Sequence, residues 1–128
     1  SDEPVSMVFQ RAFEGMAGAF ERDRDVILTR AKLGLEVPAL RARFWEELEK
    51  AQDLLGAVIA SRTGRDPADF ELRVLTMVLI TAAVEASIEW VRRDGRGSMV
   101  DLVKQAFELS GVGARLDALV GAPPADQR

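Results

Sequence analysis

Histidine, cysteine and tyrosine are all absent from this 128-residue chain. Without cysteine there is no disulfide, no thiolate nucleophile and no thiolate metal site. Without histidine the commonest general base and the commonest zinc ligand are gone. Catalysis would have to run on carboxylates, lysine, serine and threonine, and no spacing of these announces a nucleophile with its base. Basic excess is missing as well. Lys and Arg number 17 against 21 Asp and Glu, a net charge of −4, so the chain has no electrostatic footprint for a phosphate backbone. The N-terminus, "SDEPVSMVF", is acidic and lacks the basic start and long apolar segment of a signal peptide. The longest uncharged run, Val74 to Val84, is too short to span a bilayer. These absences lead us to expect a cytoplasmic non-enzyme with no metal, no cofactor and no membrane partner.

What is present is core material at helical spacing. Hydrophobic residues make up 48% of the chain and charged residues 30%, the balance of one folded domain. Val5, Val8, Phe9, Ala12, Phe13, Met16 and Phe20 share one stripe, which predicts a helix from about Pro4 to Arg22. Asp23 or Asp25 can cap a short second helix ending near Gly34. Pro38 then opens a third, running to about Thr63 and closed by Gly64. Glu46 and Lys50 form a favourable pair on its wet face. Asp66 and Pro67 suit the start of a fourth helix reaching about Asp94. Ser98 can cap a fifth, and Ser110 to Gly113 should weaken or kink it before a last short segment through Val120. No strand pattern, repeat or linker competes. The expected fold is all-α, a five-helix antiparallel bundle plus a short C-terminal segment, with residues 1–120 as the domain and 121–128 as a flexible tail.

The fourth helix has two apolar faces. Val74, Met77, Thr81, Val84, Ile88 and Val91 lie on one; Ile80, Ala83, Ser87 and Trp90 lie on another, flanked by Ala82 and Ala86. A helix apolar nearly all round must be covered nearly all round. The small residues allow a close helix neighbour, which is either the chain's own fifth helix or a second copy of the chain.

The segment "RDRDVILTRAKLGLEVPALRARFWEELEKAQDLLGAVIASRTGRDPADFELRVLTMVLITAAVEASIEWVRRDGRGSMVDLVKQAFEL" resembles the regulatory C-terminal domain of the tetracycline-repressor (TetR) family. The resemblance is carried by "VPALRARF" opening a long helix after a short one, by the "SRTGRDPADFELRV" turn, and by "IEWVRRDGRGSMVDLVKQAFEL". It covers about residues 5 to 110. It implies a homodimer joined through the last two long helices, a ligand chamber among the earlier ones, and transcriptional control. The family's helix-turn-helix is not in this chain. DNA is therefore expected to be reached only through an N-terminal domain upstream of Ser1, unless the protein never had one.

The implied interface comprises Ile80, Ala83, Ala86, Ser87, Trp90, Leu102, Val103, Ala106 and Phe107. The candidate chamber draws on Phe9, Phe13, Met16, Phe20, Trp45, Leu48, Met77 and Thr81, an apolar lining suited to a small apolar or aromatic effector. Glu85 could meet a polar or cationic group of that effector. The competing reading makes the aromatic stripe plain core and the protein a stand-alone helical homodimeric adaptor with no small-molecule ligand. "GRDP" and "DGRGS" follow no strand and lack phosphate-loop spacing. The acidic pairs Glu46/Glu47 and Asp23/Asp25 sit on solvated faces.

Overall fold

The computed structural model describes residues 3–121, which form six α-helices and no strand. The order is α1 (Val5–Arg22), α2 (Arg24–Glu36), α3 (Pro38–Thr63), α4 (Phe70–Arg92), α5 (Met99–Ser110) and α6 (Val112–Gly121). The tail expected over 121–128 lies outside the described residues except for Gly121, which ends α6.

Breaks between helices follow the backbone chemistry of their sequence. A single residue, Asp23, separates α1 from α2. Its carboxylate makes no capping bond, so the short second helix is not started by an aspartate cap. That helix runs past Gly34 to Glu36 and stops because Pro38 forces Val37 into extended backbone. Gly64 ends α3 in the left-handed conformation (φ 71°), with its N–H donating to the Ala60 carbonyl. The start of α4 falls later than the Asp66–Pro67 pair predicts. Asp66 instead accepts from the Ala68 N–H (2.8 Å) in a local turn, and Asp69 takes the cap by accepting from Leu72 N–H (3.0 Å). Ser98 caps α5 as expected, accepting from Asp101 N–H. Gly111 (φ 66°) splits the C-terminal segment into α5 and α6. Lys50 pairs with Glu47 at 3.1 Å rather than with Glu46.

The core forms around α4. Its inner face carries Leu72, Thr76, Leu79, Ala83, Ala86 and Trp90, all nearly inaccessible. Helix α5 packs most closely on it through Met99, Val103 and Phe107, with α3 on another side and α6 across its N-terminal half. Helix α1 packs on α5 and α6, and α2 on α3. Burying a side chain such as Leu72 or Val103 contributes about 1.5–3 kcal/mol each. Thr76 disposes of its buried hydroxyl by donating to the Leu72 and Arg73 carbonyls. Gln52 is buried between α3 and α4 with its amide satisfied twice, donating to Arg73 O and accepting from the Arg73 guanidinium.

Long-range polar contacts fix α1. Its own N-cap position is Pro4, which cannot cap. Asp117 on α6 supplies the missing acceptor, taking Ser6 N–H (3.0 Å) and Ser6 Oγ–H (2.6 Å) on its two oxygens. At the other end, Glu21 accepts from the N–H groups of Met99 and Val100, at the start of α5.

Candidate functional site

Helix α4 is long and apolar enough to cross a membrane by length and composition, with a mean hydropathy of 1.7 over its most apolar window, although its uncharged run alone was expected to be too short. Its inner face instead forms the centre of this domain, yet only 39% of that window is buried. The remainder is an outer face on the opposite side of the helix. Phe70 is 82% exposed and Val74 43%, while Met77, Thr81, Val84 and Ile88 are half-buried. Below Phe70 and Val74 the face opens into a groove of about 620 Å³ between α4 and α6, lined also by Leu75, Val78, Val112, Ala118 and Leu119. Glu71 and Arg115 stand at its rim. An apolar strip bordered by charges, with a groove beside it, can take another helix or an apolar ligand.

The residues expected at the dimer interface divide accordingly. Ile80, Ala83, Ala86, Trp90, Val103 and Phe107 are buried inside the single chain. The face to which Ala83 and Ala86 belong is thus part of the single chain's own core. Ser87 is half-buried, with its hydroxyl bonded to the Ala83 carbonyl. Leu102 and Ala106 are half-buried against the core at the edge of α5. Among the described residues the less covered surface is the other apolar face, through Val74, Met77, Thr81, Val84 and Ile88, although Val91 at its end is buried.

The residues expected to line a chamber are not gathered into one wall. Phe9 is buried, and Phe13 packs edge-on against Phe107 of α5 with centroids 5.7 Å apart. Phe20 packs on the same core, while Met16 remains 39% exposed. Helix α1 thus directs its stripe at α5 and α6 and not at α3. On α3, Leu48 is buried and Trp45 is 54% exposed. Met77 and Thr81 lie on the outer face of α4, where the Thr81 hydroxyl donates to the Met77 carbonyl (2.8 Å). Glu85 is exposed on that face, and the nearby Arg93 pairs with Glu89 instead. A small cleft of about 150 Å³ between α3 and α4 is lined by Gln52, Asp53, Gly56, Leu72, Arg73 and Thr76. No sequence motif marks those residues. Polar positions facing each other across two helices leave no periodic trace.

Two polar groups of the core are notable. Arg65 is buried in the α3–α4 turn; its guanidinium meets Asp69 at 3.4 Å, while its Nε and Nη2 have no partner among the described residues. The indole N–H of Trp90 likewise finds no partner among the described residues. Among the described residues no group of acidic side chains could hold a metal ion.

The family model described as the MftR C-terminal domain, one of the TetR C-terminal models, matches residues 3–114. No curated protein and no solved structure shows a significant match. The matched span contains α1 to α5 and stops in the first turn of α6, so Asp117 and most of the α6 wall of the groove lie beyond it. An all-helical domain whose longest apolar helix forms its centre, matched over nearly its whole length, belongs to the TetR-type C-terminal domains of the MftR kind, the regulatory part of transcriptional regulators.

Proposed function

We propose that this domain is the dimerisation and effector-binding part of a TetR-like regulator, and that two copies associate through the outer face of α4. The observation that carries the reading is that face itself. Phe70 and Val74 are exposed, and Met77, Val84 and Ile88 further along the same face are only half-buried by the described residues. A second copy laying the same face against it would bury the strip symmetrically, as a two-fold interface requires. Because Ala83 and Ala86 lie inside the monomer, a charge placed there would disrupt the fold and would not report on assembly.

The effector reading rests on the family and on side chains that keep an open surface: Met16, Phe20, Trp45, Met77 and Thr81. A small apolar or aromatic molecule suits them, with Thr81 and Glu85 as the few polar neighbours. An effector bound better in one arrangement of the two copies would change the spacing of attached DNA-reading domains, which is linkage between sites. DNA contact belongs in this scheme to a helix-turn-helix outside these residues, and the setting would be the cytoplasm.

The absence of cysteine provides a clean test. Val74, Met77, Thr81 and Ile88 are replaced singly by Cys and the proteins are oxidised. A disulfide forms only between Cα atoms about 4.4–6.8 Å apart, so cross-linking reports close approach. A covalent dimer is expected from at least one of these positions and none from Asp25→Cys on α2. If no outer-face position cross-links, the interface is elsewhere or absent. For the effector, an aromatic and fatty-acid panel should raise the melting temperature and shift Trp45 fluorescence. A panel with neither effect favours the adaptor without a ligand.

A further inference from the structure

The loop between α4 and α5 is held from both ends by one corner of the molecule. Asp94 (φ 55°), Gly95 (φ 70°) and Gly97 (φ 81°) all have left-handed backbone. Only glycine adopts this freely, so Asp94 is strained. Arg24, the first residue of α2, donates to the Asp94 carbonyl (2.6 Å) and the Gly95 carbonyl (3.0 Å). Lys32, two turns further along α2, pairs with the Asp94 carboxylate at 2.8 Å. Three residues before Arg24, Glu21 accepts from the first amides of α5, at Met99 and Val100. The fit at Gly95 is close: a Cβ there would come within 2.6 Å of Arg24 Nε.

The charges match the helix ends they hold. Cations take the carbonyls just beyond the C-terminus of α4, and a carboxylate takes the amides at the N-terminus of α5, the arrangement the two helix dipoles favour. Both grips come from the single α1–α2 corner, whose two helices are separated only by Asp23. We infer that this corner is a two-jawed latch that fixes the angle between α4 and α5, so that displacement of α2 is transmitted to the α4–α5 pair. The consequence for assembly rests on the dimer reading given above; the latch itself does not. Arg24, Lys32 and Glu21 are positioning residues that act through the loop.

The test is amide hydrogen exchange followed by NMR on the full chain, with Arg24→Ala and Lys32→Ala. Neither side chain touches the Met99 or Val100 amide, which belong to the Glu21 jaw. If the jaws act as one unit, Arg24→Ala speeds exchange at Met99 and Val100 by about tenfold or more, the scale of a lost charge-assisted hydrogen bond. Lys32→Ala, an exposed change that leaves the core untouched, moves the same amides in the same direction by less. Glu21→Ala gives the upper limit for those two sites. The inference is overturned if Glu21→Ala raises exchange there while Arg24→Ala and Lys32→Ala leave both rates at the wild-type value. That pattern would make the grips two independent local contacts. A monomeric wild-type chain would remove the dimer reading and leave this comparison intact.

Discussion

The contact between Phe13 and Phe107 decides whether the aromatic stripe of α1 is core or the wall of a chamber. The two rings meet edge-on at 5.7 Å, with planes 88° apart. Phe107 is 7% exposed, so Phe107→Ala should cost about 3–5 kcal/mol, the usual penalty for a buried aromatic. Phe13 is only half-buried, and Phe13→Ala should cost about 1.5–3 kcal/mol, from the area it removes from water. The edge-to-face geometry contributes about 0.5–1.5 kcal/mol beyond burial, and this is what the double variant isolates. The assay is urea unfolding of the four proteins at one concentration, so that any linked association is held constant. The double variant should lose less than the sum of the singles by the coupling energy. A Phe13→Ala cost below about 0.5 kcal/mol with no coupling to Phe107 would refute the core assignment, because a side chain lining a void loses little on truncation.

Other substitutions probe the remaining polar contacts. Asp69→Ala removes both the α4 cap and the ion-pair partner of buried Arg65, and should cost more than the roughly 1 kcal/mol of a cap alone; Asp69→Asn, which keeps an acceptor for Leu72 N–H, should fall between, by urea unfolding. Arg65→Met should be neutral or stabilising in the same assay, since two of its nitrogens are buried without partners among the described residues. Gly95→Ala should destabilise by roughly 1–3 kcal/mol, because both the φ of 70° and the Arg24 side chain oppose a Cβ; a neutral result would mean the turn relaxes freely. Lys32, through its hydrogen bond and its charge, holds the Asp94 carboxyl below the usual carboxylate range. Its small contribution is therefore present above about pH 4 and lost as pH falls through the lowered value. Carboxyl NMR titration should show the Asp94 midpoint rising in Lys32→Ala, and no change would remove the pair.

Much of the fold is legible in the residues. Apolar spacing gives the helices, and Gly64, Pro38, Ser98 and Gly111 mark their ends for reasons of backbone chemistry. The start of α4 was obscured because "GRDPAD" holds two aspartates that can both cap, and only the fold selects Asp69. The two apolar faces of α4 were also legible, but which one turns inward was not. That choice is made by how α3, α5 and α6 pack around α4, which periodicity does not encode. The same limit applies to α1: its apolar spacing does not encode which helices it meets, and Phe13 packs on Phe107 of α5. The clamps from Asp117, Glu21 and Arg24 have no sequence signature at all, since each is one side chain meeting backbone from a remote helix.

The exposed outer face of α4 is most directly tested by sedimentation equilibrium of the unmodified chain and of Val74→Arg at micromolar concentration. Val74 lies in the strip one turn from its N-terminal end and is already 43% exposed, so the substitution should leave helicity and unfolding of the isolated chain nearly unchanged. The wild type is expected at twice the chain mass of 14.0 kDa and the variant at the single mass. A wild type that sediments as a monomer throughout, or a Val74→Arg protein as dimeric as its parent, would contradict association through this face.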